Sequence, residues 1–209
     1  MTRALLSIGI FVFSQQLFAQ DSIPRHWVSL NLGSQVTSLN FTASSGDMLD
    51  YSKELNFTNG IGYSFMRGKV ILDLNVDYYS FSSTYQDDNI NTSLELGYFQ
   101  PAVNLSYMFK VGSFPLRPRL GVGYGHSFLI YGNQILNGAL TDVKKAEAIN
   151  STDGGINLNA GVILFNKSNI CVSSMYNYRI GLSNIENETN NQETTTTIHG
   201  LLLKIQLAF

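Results

Sequence analysis

The sequence predicts an all-β fold, an eight-stranded antiparallel transmembrane β-barrel of up-and-down topology. Three observations predict it. Eight segments alternate apolar and polar residues with period two, as strands do when one face is apolar and the other polar. Their connections alternate between short and long, as in barrels that join strands by tight turns at one end and longer loops at the other. The last segment keeps its alternation up to an aromatic carboxy-terminal residue, Phe209.

Before the first strand comes a segment that reads as an export signal. Arg3 supplies a positive start, residues 4–13 an apolar stretch, and Ala19 a small residue before Gln20. Residues 1–19 are therefore expected to be a cleaved signal peptide and residues 20–209 the barrel domain. Ten apolar residues are too few to cross about 30 Å of hydrocarbon as a helix. No later run approaches the roughly 18 apolar residues of a transmembrane helix, so a membrane span has to be made of strands.

Val28, Leu30 and Leu32 alternate with Ser29, Asn31 and Gly33 in the first strand. Leu55, Phe57, Ile61, Tyr63 and Phe65 alternate with Asn56, Thr58, Gly60, Gly62 and Ser64 in the second. The third sets Val70, Leu72, Leu74, Val76 and Tyr78 against Asp73, Asn75 and Asp77. The fourth has Val103, Leu105, Tyr107 and Phe109 in phase, while Leu94, Leu96 and Tyr98 are out of phase with them. A bulge near Pro101 is expected to reconcile the two halves.

In the fifth strand Leu120, Val122, Tyr124, Phe128 and Ile130 oppose Arg119, Gly121, Gly123, Gly125 and Ser127. In the sixth, Ile156, Leu158, Ala160, Val162 and Leu164 oppose Asn157, Asn159 and Gly161. The seventh sets Ile170, Val172, Tyr176, Tyr178 and Ile180 against Ser173, Asn177 and Arg179. The eighth sets Leu201, Leu203, Ile205, Leu207 and Phe209 against Gly200, Lys204 and Gln206. Short turns fall at 67–68, 110–116 and 166–169, and would be periplasmic. Long polar loops fall at 35–54, 82–91, 132–154 and 183–193, and would be extracellular. Residues 140–149 have a composition that allows a short helix.

Periodicity alone does not say which face points outward, and a secreted lipocalin-like barrel would show the same pattern turned inside out. Glycines 60, 62, 121, 123, 125, 161 and 200 share the polar face, as a narrow lumen requires. Aromatics sit at strand ends on the apolar face: Tyr63, Phe65, Tyr107, Phe109 and Phe209 at the turn end, Tyr78 and Phe128 nearer the loops. Strand charges fall almost entirely on the polar face, and a basic residue facing mid-bilayer costs roughly 2–4 kcal/mol. The apolar face is thus expected to meet lipid. The alternating carboxy-terminal strand looks like the assembly signal of outer-membrane proteins, which would make the barrel-assembly machinery and outer-membrane lipid its partners.

The net charge of −2 gives no footprint for nucleic acid. Asp73, Asp77, Arg119, Arg179 and Lys204 could line a lumenal site, joined by Glu95 if the bulge is right, but mixed charges in a narrow barrel are expected to pair with one another. His26, His126 and His199 sit in no metal or catalytic motif, so no catalytic, cofactor or metal residue is assigned. Asp87, Asp88 and Asn89 lack the spacing of a calcium loop. Cys171, the only cysteine, is expected to be a small packing residue.

Three stretches carry a resemblance. They are the run from Tyr98 to Tyr107 (YFQPAVNLSY), the run from Leu116 to Val122 and Gly123 (LRPRLGVG), and the run from Tyr178 to Ile185 (YRIGLSNI). Together they resemble the outer-membrane β-barrel proteins of Bacteroidetes that include PorT-like proteins. Phe99 and Gln100 depart from that family's usual Leu-Glu-Ile-Pro form. The resemblance implies an eight-stranded barrel and no single activity, so the expected role is non-enzymatic, structural or interactive at the cell surface. A transport or secretion-associated barrel is the alternative, a lipid-modifying enzyme a third reading, and a protein or glycan contact at the loops is open.

Overall fold

A computed structural model describes residues 25–42, 48–49, 54–86, 91–110, 116–147, 149–167, 169–182 and 193–208. The expected signal peptide, Asp87, Asp88, Asn89 and Phe209 lie outside them. Ten strands are β1 (Arg25–Thr42), β2 (Met48–Leu49), β3 (Leu55–Arg67), β4 (Val70–Gln86), β5 (Asn91–Met108), β6 (Arg117–Leu136), β7 (Ala139–Asp142), β8 (Thr152–Lys167), β9 (Ile170–Gly181) and β10 (Glu193–Ala208). All pairings are antiparallel. The long strands follow one another around a ring that closes when β10 pairs with β1, from Trp27 opposite Ala208 to Thr42 opposite Glu193. Eight strands make the wall, and β2 and β7 are short additions at the loop end.

The barrel is apolar outside and polar inside. Ile61 is 64% exposed on the outer face of β3, while Asn31 and Ser64 inside are 0% exposed. A soluble barrel of the lipocalin type has the opposite arrangement, so this wall is built for hydrocarbon. Outward residues of β4 stay apolar from Val70 to Tyr78 and then become Ser80, Ser82 and Thr84. On β5 they end at Phe99, followed by Gly97 and Glu95. Nine residues at about 3.3 Å each, tilted as barrel strands are, match an apolar band about 25 Å tall.

Several strands outrun that band. The β6 strand has 20 residues, whereas a tilted strand needs about 9–11 to cross. The excess of β4, β5 and β6 projects at the loop end, where β7 adds to β6. The β6–β7 connection is the dipeptide Asn137-Gly138, with φ of 47° and 84°. Positive φ at both central residues is what a two-residue hairpin matched to strand twist demands. That turn explains why the expected helix over 140–149 is absent. The chain returns as a strand to Asp142, then makes a single turn closed by Ala146 N–H donating to Asp142 C=O at 3.0 Å.

The expected bulge near Pro101 is also corrected. Pairing of β4 with β5 runs without interruption from Val70–Tyr107 to Gln86–Asn91. The irregularity lies across the other edge of β5, where Gly97 faces Tyr131 and Tyr98 faces Leu129, leaving Ile130 of β6 as the extra residue. Because β5 keeps its phase, Leu94, Leu96 and Tyr98 point inward and are buried. They join Tyr79, Phe81, Leu129, Val143 and Ile198 in an apolar layer inside the loop end. Val143 reaches this layer from the turn after β7, and a side chain at Gly132 would collide with it.

A second apolar layer closes the turn end. Trp27, Met66, Ile71, Met108, Ile163 and Cys171 pack together there, with Ala208 against them. Cys171 is thus the packing residue its surroundings suggested. Between these two layers lies the polar middle of the lumen.

Candidate functional site

The polar middle is built by alternation: every second residue of each wall strand enters a lumen too narrow for all of them. Glycines make the room. A Cβ on Gly155 would fall 2.6 Å from Nε of Arg179, one on Gly125 2.7 Å from the Gln100 amide, and one on Gly123 2.7 Å from the carboxamide carbon of Asn104. Gly60 and Gly62 stand in the same relation to Asp77 and Asn75. A bulky residue at such a position must push a packed polar group or the neighbouring backbone. Gly123→Val is therefore expected to lower stability by about 1–3 kcal/mol, read as an earlier midpoint in urea unfolding from lipid vesicles.

Three of the expected charges meet. The carboxylate of Asp73 on β4 accepts from Arg119 of β6 through one oxygen and from Lys204 of β10 at 2.7 Å through the other. Ser64 donates to the Lys204-bound oxygen, Arg119 also donates to Ser106 Oγ at 2.9 Å, and Lys204 reaches Asn75 Oδ1 at 3.2 Å. All three ionic side chains are almost completely buried. A buried charge is tolerable only when paired and hydrogen-bonded, and this cluster meets both conditions with residues from three strands.

Arg179 is not part of that cluster. It pairs with Asp153 at 2.8 Å, donates to the Asp153 carbonyl at 3.0 Å, and shares the carboxylate with Thr196, whose hydroxyl donates at 2.9 Å. Sequence reasoning misses Asp153 because its surroundings read as part of the 132–154 loop. Its phase with Gly155, Asn157 and Asn159 was the available signal. Asp77 accepts from Asn31 at 2.9 Å and lies beside Asn75. Glu95 is a correction: with no bulge at Pro101 it faces outward, where Tyr131 donates to it at 3.1 Å.

A cavity of about 80 Å³ runs along this middle, bordered by Asp73, Asp77, Asn104, Asn157, Asn159 and Arg179 among others. At roughly 10–15 Å³ per water it has room for a handful of water molecules. The histidines stand elsewhere. His26 contacts Tyr63 and Phe65, His126 contacts Tyr124 and Phe128, and His199 lies against Tyr176. All three share the outward phase of their strands and are not brought to the lumenal charges. Among the described residues no group of three or more His, Cys, Asp or Glu could hold a metal ion.

At the loop end, Asp142 accepts from the backbone N–H of Lys145 at 3.0 Å and pairs with its ammonium at 3.1 Å. These contacts hold its carboxyl below the ordinary aspartate pKa.

Among the solved structures similar to this one are eight-stranded outer-membrane barrels. The outer membrane protein OprG from Pseudomonas aeruginosa is 11% identical, with 88% of this chain and 96% of that one covered and a TM-score of 0.56. Neisserial surface protein A is 15% identical, with 88% and 99% covered and a TM-score of 0.50. At these identities the likeness is one of fold. No family model and no curated protein matches the chain.

Proposed function

We propose that this chain is a non-enzymatic outer-membrane barrel that does not conduct and that presents its projecting loop-end sheet for interaction at the cell surface. One observation carries the reading: the paired lumenal charges lie between two buried apolar layers, one led by Phe81 and Leu96 and the other by Trp27 and Ile71. A solute would have to pass both. Insertion into planar bilayers is expected to give no stable conductance steps, whereas reproducible single-channel openings by the purified chain would overturn the reading. Outer-membrane fractionation and heat-modifiable gel migration are the accompanying expectations, and recovery as a soluble protein would sink it.

The exposed strand excess, with Ile135, Leu136 and Leu140 flanking the Asn137-Gly138 turn, is the surface a protein or glycan partner would meet. The outward row Leu201, Leu203, Ile205 and Leu207 of β10 is the part the assembly machinery would read. A secretion-associated role, as the PorT-like resemblance suggests, is the second reading. The motif residues favour it only indirectly, since Arg119 and Gly121 serve the lumen. Loss of protein secretion on deleting the gene in its host would support it.

A further inference from the structure

We infer that the turn end of the barrel carries a binding collar for anionic phospholipid in the leaflet it faces. Arg25 opens β1, Arg67 ends β3, Lys69 precedes β4, Lys110 follows β5 and Arg117 opens β6. Five basic residues thus come from separate strand ends onto one rim. Among the described residues no carboxylate lies on the outside of that rim. The nearest, Asp73, points into the lumen and is taken by Arg119 and Lys204.

The rim is held in place. Met108 N–H donates to Lys69 C=O at 2.8 Å, and Phe109 N–H donates to Pro118 C=O at 2.8 Å, tying the bases of neighbouring connections together. Just above it sit the aromatics that mark a bilayer interface: His26, Phe65, Tyr107 and Phe109. Lys69 Nζ lies 6.0 Å from the Tyr107 ring centroid. Aromatic residues at this level lie among headgroups, so the basic side chains reach the depth of lipid phosphates. Clusters of four to eight Lys or Arg beside a membrane span are how proteins select anionic headgroups.

The other end has the opposite sign. Among its described residues Glu54, Glu95, Asp142 and Glu147 stand against Lys144 and Lys145 as the bases. A net charge of −2 hides this separation. Uniform solubilising charge would not sort by end. A barrel whose turn-side leaflet is anionic would, because lipid phosphates at that depth complement a basic rim.

This inference goes beyond the proposed surface role and rests only on the barrel's crossing a bilayer. The test reconstitutes the full chain in nanodiscs of equal phosphatidylglycerol and phosphatidylcholine, then counts retained lipids by native mass spectrometry after detergent extraction. Wild type is expected to retain phosphatidylglycerol at least about tenfold over phosphatidylcholine, with each single Arg25→Gln, Arg67→Gln, Lys69→Gln, Lys110→Gln or Arg117→Gln change lowering the preference up to about fivefold. High salt should lower it too, and the loop-end pair Lys144→Gln and Lys145→Gln should leave it unchanged. Equal retention by wild type, or a preference that follows the loop-end lysines, overturns the collar. Heat-modifiable migration of the same samples scores bilayer insertion separately, and a chain that fails to insert overturns the premise itself.

Discussion

Replacing Asp73 with Asn is expected to cost about 3–5 kcal/mol of stability, the range for removing one partner of a buried ionic cluster. The reason is the stoichiometry of the lumen. One carboxylate serves two cations, and among the described residues neither has another carboxylate bonded to it. An amide of the same size keeps the packing and some hydrogen bonds but leaves Arg119 and Lys204 facing each other in a water-poor interior. Trp27, the single tryptophan, is buried in the turn-end layer, so its fluorescence follows urea unfolding from lipid vesicles. Asp142→Asn removes an exposed pair with Lys145 and should leave the midpoint where it was. An Asp73→Asn midpoint equal to wild type would mean that the cations are not truly desolvated.

A companion variant separates charge from shape. Asp73→Leu combined with Arg119→Met and Lys204→Met removes the whole cluster, and buried ionic groups replaced as a set by apolar ones of similar volume are often tolerated. The triple variant is therefore expected to be more stable than Asp73→Asn alone, which no argument from lost contacts would predict.

Much of this was legible in the chain because a strand has only two faces. Once Leu74 was assigned outward, Asp73, Asn75 and Asp77 had to be inward, and the same parity placed Arg119, Arg179 and Lys204. What parity could not supply was partnership. Whether Arg179 pairs with Asp73 or Asp153 depends on barrel stagger, which joins residues 26 positions apart in one pair and 131 in another. Parity also misled at Leu94, Leu96 and Tyr98. Parity takes apolar residues as outward along a whole strand, yet inside the loop end the lumen itself is apolar, so the strand needs no bulge near Pro101 and Glu95 faces outward. The sequence ends the strands too early at the loop end for a related reason: Ser82 and Thr84 stay strand by pairing with β5, though their composition reads as loop.

The second large effect tests which face meets lipid. Leu74→Arg is expected to reduce insertion stability by roughly 2–4 kcal/mol, because it sets a guanidinium within the apolar band between Leu72 and Val76. Leu74 is 43% exposed, and the outer face around it offers Ile61, Tyr63, Val103, Tyr124 and His126 but no carboxylate to receive the charge. Thr84→Arg, on the same face of the same strand but beyond the band, should cost between about 0 and 1 kcal/mol. Asn75→Arg makes a poor control, since an inward guanidinium there would displace the acceptor of Lys204 and Asn31. The informative comparison is therefore depth along one face rather than face against face. If Leu74→Arg and Thr84→Arg insert and resist urea equally, the outer wall does not lie in hydrocarbon and the reading of the barrel as a membrane protein fails with it.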